Sequence, residues 1–250
     1  MRKTGILLTI SLLLLTLQSC VTFSNIPLVR EFYRELELKD GSVITFDNLH
    51  GDLVVFGWQK EKAEIRATKT GTDSQLRQTD IEVKKKGNEL VIKTFFPRAD
   101  IKNVFVDYEL RLPSQVVFKE IKIEKGDVSF YQLYGGLNLS LGEGDIEIED
   151  LGGKCRLVVD EGNVVARIYE IKGSDDFLFK TNKGNLRLYL PPEISARIEA
   201  ETRLGKIESE LVGEEEKLPA KKWSRSYGKG EALIRLQCWE GNIELKSLKI

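Results

Sequence analysis

A glycine followed by Asp or Asn recurs in this chain at a nearly constant spacing. Gly126, Gly144, Gly162 and Gly184 are separated by 18, 18 and 22 residues, and each lies between two short runs of alternating apolar and polar residues. A unit of this size cannot bury its own apolar face and must stack on copies of itself. The spacing therefore predicts an all-β fold, a parallel single-stack β-solenoid (β-helix-like) with a β-rich N-terminal part.

Two apolar columns accompany the glycines, one five residues before each glycine and one two residues after it. They comprise Ile121, Leu139, Leu157, Phe179, Ala200 and Leu236, and then Val128, Ile146, Val164, Leu186, Ile207 and Ile243. The two columns are seven residues apart along the chain. Because seven is an odd number, strict alternation cannot place both columns on one face without a bend between them. Glycine can supply that bend. The predicted turn residues are Gly51, Gly126, Gly144, Gly162, Gly184, Gly205 and Gly241.

We expect one β domain over residues 36–250, with an N-terminal β part at 36–113 and the repeats at 114–250. A charged segment, 213–230, interrupts the repeats and contains Trp223. It is interpreted as either an excursion loop or a degenerate repeat.

The N-terminus has the layout of an export signal. Arg2 and Lys3 precede an apolar run over 6–17, which is shorter than the roughly 20 residues of a membrane-spanning helix. The segment Leu17–Cys20 resembles the bacterial lipobox, which implies cleavage of residues 1–19 and lipidation of Cys20. Residues 20–35 would then be a lipidated tether. The alternative is an ordinary secretory signal with a chance cysteine.

The residue after Cys20 bears on the destination of such a lipoprotein. Position 21 is Val rather than Asp. By the sorting rule known for many Gram-negative lipoproteins, this favours the outer membrane over the inner one.

The other two cysteines, Cys155 and Cys238, are expected to be buried apolar side chains. Each lies two residues from an inward leucine of the repeat pattern. A disulfide between them is the alternative in an oxidising compartment.

Several short motifs occur in a characteristic order. They are Gly51-Asp52-Leu53, Val106–Pro113, Gly126-Asp127-Val128, Gly144-Asp145-Ile146, and an ending from Gly230-Glu231-Ala232 to Gly241-Asn242-Ile243. Together they resemble the putative adhesin family of bacterial domains of unknown function, over about residues 36–250. The resemblance implies a β-rich N-terminal part followed by repeated Gly-Asp coils. It supplies no catalytic or binding residues.

The residues that follow the glycines form a column with two interpretations. Its members are Asp52, Asp127, Asp145, Asn163, Asn185 and Asn242. A ladder of cation ligands would need repeated carboxylates, whereas Asp and Asn also favour tight bends by hydrogen-bonding their own backbone. Half of the column is neutral Asn, and Lys206 interrupts it, so we expect turn chemistry and no metal site.

The outward positions carry both signs of charge. Asp145, Glu147 and Glu149 lie in one repeat, whereas Arg167 and Arg187 lie in the next two. This arrangement predicts lateral ion pairs on a solvated face. Outward Tyr131 and Tyr189 are candidates for a ligand platform, although they are not in adjacent repeats.

Catalysis has little support in the sequence. His50 is the only histidine, which limits triads and multi-histidine metal sites; we expect it to be exposed at a turn. Parallel β-helix hydrolases use carboxylates, but adjacent Asp160 and Glu161 would face opposite ways on a strand. We therefore predict no catalytic residue and no cofactor.

The charge balance bears on possible partners. The chain has 38 basic and 39 acidic residues, and this near balance gives no reason to expect nucleic-acid binding.

The functional prediction is a non-enzymatic, membrane-anchored envelope lipoprotein that serves as an adhesin-like display or binding scaffold. Its protein or glycan ligand is unknown. One alternative is a carbohydrate-active enzyme on a β-helix scaffold. Another is an envelope scaffold that binds a protein through the loop 213–230.

Overall fold

The computed structural model describes residues 27–96, 103–211 and 221–248. Short strands dominate these residues, as the alternating pattern predicts. In chain order the elements are β1 (Leu28–Glu37), β2 (Val43–His50), β3 (Leu53–Trp58), β4 (Lys62–Gly71), α1 (Asp73–Gln78), β5 (Asp80–Lys86), β6 (Glu89–Phe95), β7 (Phe105–Pro113), β8 (Val117–Lys125), β9 (Val128–Leu133), β10 (Leu137–Glu143), β11 (Ile146–Leu151), β12 (Lys154–Glu161), β13 (Val164–Arg167), β14 (Asp176–Lys183), β15 (Leu186–Leu190), β16 (Ala196–Leu204), β17 (Ile207–Ser209), β18 (Lys222–Tyr227), β19 (Ala232–Glu240) and β20 (Ile243–Ser247).

The strands form two ten-stranded sheets. Sheet A has the order β1-β4-β7-β3-β9-β11-β13-β15-β20-β17, and sheet B has the order β18-β16-β19-β14-β12-β10-β8-β2-β6-β5. Most neighbouring strands are parallel. The antiparallel pairs are β1–β4 and β4–β7 in sheet A, and β16–β18 and β5–β6 in sheet B. Each repeat unit consists of a strand of sheet B, a glycine bend and a strand of sheet A.

The predicted single-stack parallel β-solenoid is therefore wrong, although the all-β class is correct. Both sheets are mixed, and the repeat units do not follow one another in chain order. The last unit, β19–β20, lies between β14–β15 and β16–β17. The glycine spacing predicted units that lie side by side, but it carried no information about which unit neighbours which.

The core lies between the two sheets. All twelve residues of the two predicted apolar columns are buried, with at most 3% of the surface of each exposed. Large aromatic side chains complete the core, including Phe46, Phe118, Phe130 and Phe177. Burial of this continuous apolar layer is the main stabilising contribution expected for such a fold.

Two segments differ from the sequence-based expectations. Residues 28–35, expected within the tether, belong to β1, which pairs with β4 along its whole length. Within the predicted loop 213–230, Lys222–Tyr227 forms β18, antiparallel to β16. Trp223 packs into the core and is only 9% exposed.

Candidate functional site

The Asp and Asn residues after the repeat glycines form one hydrogen-bonded column across sheet A. The backbone N–H of Asp145 donates to Oδ1 of Asp127, and the N–H of Asn163 donates to Oδ1 of Asp145, both at 2.8 Å. The full column is Asp107, Asp52, Asp127, Asp145, Asn163, Asn185, Asn242 and Lys206. These bonds join neighbouring repeat units, whereas we expected each side chain to bond its own backbone.

Lys206 occupies the end of the column, on the edge strand side of sheet A. Its N–H donates to Oδ1 of Asn242 at 3.0 Å, and β17 has no further neighbour among the described strands. A residue at this end only donates and needs no side-chain acceptor. The non-sequential order of the units thus explains a lysine that seemed to interrupt the sequence pattern.

The glycines are required because neighbouring backbones approach closely. Gly162 has φ +154°, and a Cβ added to it would lie 1.8 Å from the carbonyl oxygen of Gly144. No real Cβ contact is that short, so a side chain would force the strands apart. The same contact with the neighbouring glycine's carbonyl, at 1.9–2.1 Å, occurs at Gly126, Gly144, Gly184, Gly205 and Gly241, whereas at Gly51 the contact is with the Val106 carbonyl at 2.2 Å.

A groove of about 460 Å³ lies beside the start of the column; it is lined by Asp52, Asp107 and Asp127 and by the Lys125–Glu143 ion pair. Burial and the nearby charge of Asp52 raise the pKa of Asp107. No His, Cys, Asp or Glu cluster suited to a metal ion occurs within 27–96, 103–211 and 221–248. Since the column's Oδ1 atoms already accept from N–H donors, a cation would have to compete with those bonds.

A second array crosses the outer face of sheet A; six of its residues each follow a repeat glycine by five positions, and the others lie in register with them. At its centre, the rings of Phe56 and Tyr131 stack with centroids 4.9 Å apart and planes 14° apart. The Arg111 guanidinium lies 5.5 Å from the Phe56 centroid. Stacked rings with an adjacent cation are typical of binding surfaces.

The array continues in register across nine strands, and we name it the outer row. Its members are Glu35, Glu64, Arg111, Phe56, Tyr131, Glu149, Arg167, Tyr189 and Lys246. Arg167 donates to Glu149 at 2.7 Å and lies 5.2 Å from the Tyr189 centroid. Aromatic and charged groups thus follow one another along a single line.

Ion pairs flank the outer row. Arg187 makes two hydrogen bonds to the Glu244 carboxylate, at 2.8 and 3.0 Å, and these lower the pKa of Glu244. Arg167 also contacts Glu147 at 3.1 Å. These lateral pairs are those expected from the mixed charges of neighbouring repeats. Their side chains are partly exposed, so each pair contributes little to stability.

The sequence identified only part of the outer row. Tyr131 and Tyr189 belong to it but are separated by β11 and β13. The neighbour that stacks on Tyr131 is Phe56, which the sequence analysis did not select. Phe56 follows Gly51 by five residues, as Tyr131 follows Gly126, so this offset was the signal that could have identified it.

The side chains considered for catalysis do not meet in one site. Asp160 accepts from Asn182 at 2.8 Å, and Glu161 pairs with Lys183 at 2.5 Å. His50 is half-buried, with Phe96 and Phe105 ring centroids 6.0 and 6.2 Å away. The prediction of an exposed histidine was therefore wrong.

Cys155 and Cys238 are buried free thiols, as predicted. Burial raises the pKa of the Cys155 thiol to about 12, which makes it a poor nucleophile. Cys20 lies outside the described residues.

The single helix within the described ranges is α1, with six residues. No helix in this part of the chain could span a bilayer.

Comparison with solved structures finds similar proteins, and the first of those described here shares the fold. A putative cell adhesion protein from Clostridium sporogenes is 16% identical, with a TM-score of 0.56 and coverage of 88% of this chain and all of the other. A putative adhesin from Bacteroides fragilis is 15% identical, with a TM-score of 0.41 and coverage of 88% and 97%. A putative lipid binding protein from Parabacteroides distasonis is 11% identical, with a TM-score of 0.33 and the same coverage. No curated protein matches the chain.

The sequence profile of a domain family, Toastrack DUF4097, matches residues 36–246. The match includes the glycine bends, the column and most of both sheets. The chain therefore belongs to the Toastrack DUF4097 family.

Proposed function

We propose that this chain is a non-enzymatic, exported lipoprotein of the cell envelope that acts as an adhesin-like binding scaffold. Its binding surface is the outer face of sheet A, and its ligand is a protein or glycan. The outer row carries this proposal, because it places aromatic and charged groups on strands whose backbones pack closely against one another at the glycine bends. The name of the Clostridium sporogenes protein agrees with a role in adhesion.

The proposed anchor is a lipid on Cys20. The lipobox-like segment Leu17–Cys20 supports it, and Leu28 begins the first strand eight residues later. A fully extended linker of this length spans about 28 Å, so the domain would stay close to the membrane. Several acyl chains hold a protein at a bilayer essentially permanently, because each buried CH₂ contributes about 0.8 kcal/mol. Val21 supports the outer membrane if the cell is Gram-negative.

Metabolic labelling with palmitate tests the anchor. We expect label on the natural protein and none on Cys20→Ser. Cys238→Ala is the matched control and should keep the label, because its thiol is buried in the domain. A natural protein without label contradicts the lipid anchor.

Binding to arrayed glycans and envelope proteins tests the surface. We expect Phe56→Ala with Tyr131→Ala to weaken binding about tenfold or more, since aromatic anchors dominate many interfaces. Arg156→Ala, on the outer face of sheet B, is the control and should bind normally. Equal binding by all three proteins contradicts the assignment of the surface, and hydrolysis of a polysaccharide contradicts a non-enzymatic function.

A further inference from the structure

We propose that the free edge of β1 binds an extended segment of another protein as an added strand. The bound segment carries basic residues on its outward face, and acidic and apolar residues on its inward face. This surface is separate from the Phe56–Tyr131 stack and would add a second partner to the proposed scaffold.

β1 has the features of an open pairing edge. It is ten residues long and pairs with β4 over its whole length without a bulge. No described strand pairs with its other side. Because every second residue of an antiparallel strand directs its N–H and C=O away from its partner, β1 presents a row of backbone groups to a further strand.

The other edge strands, β17, β18 and β5, are all shorter than β1, and β18 has only six residues. β17 is only three residues long. β5 contains three consecutive lysines, 84–86, and lysines on an edge discourage the addition of strands. β1 contains neither Pro nor Gly, and its Val29 and Tyr33 side chains are 62% and 56% exposed.

The two faces of β1 carry opposite charges. Register with β4 places Arg34 beside buried Ile65 on the inward face, and Tyr33 beside Arg66 on the outward face. The inward residues are Leu28, Arg30, Phe32, Arg34 and Leu36, and the outward residues are Val29, Glu31, Tyr33, Glu35 and Glu37. The inward charges are therefore all positive and the outward charges all negative.

Some of these charges already have partners. Arg30 pairs with Asp73 at 2.6 Å, and Glu35 pairs with Lys62 at 2.9 Å. Within the described part of the chain, Arg34, Glu31 and Glu37 make no ion pair. An added strand with acids opposite Arg34 and bases opposite the two glutamates would pair all three.

A second copy of this chain fits poorly. Antiparallel pairing of two β1 strands in one continuous sheet keeps inward residues opposite inward residues. Such pairing sets arginines near arginines and glutamates near glutamates, which is destabilising in cross-strand pairs. Charge complementarity therefore selects a different chain.

A synthetic probe tests this proposal. The probe is a ten-residue, end-capped peptide in which Lys alternates with Glu and Val, titrated into the full chain and followed by fluorescence anisotropy. We expect saturable binding with a Kd below about 1 mM. Two control peptides should bind at least about tenfold more weakly: one with the same residues but all lysines at one end, and one N-methylated at alternate backbone nitrogens.

Variants of the chain separate edge binding from general charge attraction. Glu31→Lys with Glu37→Lys should weaken binding of the probe about tenfold. Glu124→Lys with Glu208→Lys changes the net charge equally at exposed positions on other strands and should leave binding unchanged. Phe56→Ala with Tyr131→Ala should also leave it unchanged, so this proposal can fail independently of the outer-face one.

Three results would overturn the proposal. The first is no binding of the probe at about 1 mM. The second is an equal loss of probe binding in the Glu31→Lys with Glu37→Lys variant and in the Glu124→Lys with Glu208→Lys variant. The third is a concentration-dependent dimer in sedimentation that Glu31→Lys with Glu37→Lys abolishes, because the occupant of the edge would then be a second copy.

Discussion

The repeat glycines, which form a glycine column at the bends before the strands of sheet A, and the outer row, six members of which lie five residues further along the chain, obey different rules. In the glycine column the residue is the same in every repeat unit, because a Cβ would lie 1.8–2.2 Å from a neighbouring carbonyl oxygen. In the outer row the residue changes between units, from Phe56 and Tyr131 to Glu149 and Arg167. The residues that recur in every repeat unit thus specify the fold, and the residues that differ between units specify the chemistry of the outer surface.

The largest effect is expected where the backbones touch. Gly162→Ala should lower the free energy of unfolding by about 3 kcal/mol or more, since the new methyl group clashes with the Gly144 carbonyl. Urea unfolding measures this loss. Gly41→Ala is the control; φ there is +74°, but nothing lies within 4 Å of the added Cβ. It should cost only about 1 kcal/mol, and equal losses would mean that conformation, rather than contact, requires the glycines.

A smaller effect is expected in the hydrogen-bonded column. Asp145→Ala removes the Oδ1 acceptor of the Asn163 N–H and should cost about 1 kcal/mol of unfolding free energy. Asp145→Asn keeps an Oδ1 and should change stability by no more than about 0.5 kcal/mol. If the asparagine variant loses as much as the alanine variant, the carboxylate charge matters and the column has a role beyond hydrogen bonding.

The smallest effect is expected in the outer row. A double-mutant cycle on Phe56 and Tyr131, with alanine at each, should give a coupling energy of about 0.5–1 kcal/mol from their stacking. The cycle on Phe56 and Tyr189 is the control, because several strands separate these residues, and its coupling should be near zero. Equal coupling energies in the two cycles would mean that the stacking of Phe56 on Tyr131 does not stabilise the protein.

The periodicity of the sequence predicted the inward residues well. Ile146 and Phe179 are buried as expected, because an apolar column at a fixed offset from a bend leaves one choice of face. The same alignment placed Cys155 and Cys238 in the core. These inferences depended only on local alternation, which is a strong signal.

The order of the units could not be obtained in that way. Any two repeats have complementary edges, so local patterns permit β16–β17 to lie beside either β14–β15 or β19–β20. The one signal was Lys206, whose lack of a side-chain acceptor fits the end of the column. Phe56 was missed for a related reason, since its stacking on Tyr131 depends on the unit β2–β3 lying beside β8–β9.

The order of the units matters most, because the hydrogen-bonded column is unbroken only when Lys206 lies at its end. Lys180 on β14 lies directly opposite Gln237 on β19, and Gln237 lies opposite Glu201 on β16. Adjacent strands are about 4.8 Å apart, whereas Lys180 and Glu201 are two strands apart, at about 9.6 Å. Only the first separation permits a disulfide, which needs Cα atoms within about 7 Å.

Paired cysteines measure this order directly, in a chain whose three native cysteines are replaced by alanine. Under mild oxidation, Lys180→Cys with Gln237→Cys should form an intramolecular disulfide, and Lys180→Cys with Glu201→Cys should not. The reverse result, a disulfide only between positions 180 and 201, would mean that β14 lies beside β16 and that the units follow chain order. It would contradict the order of units described here.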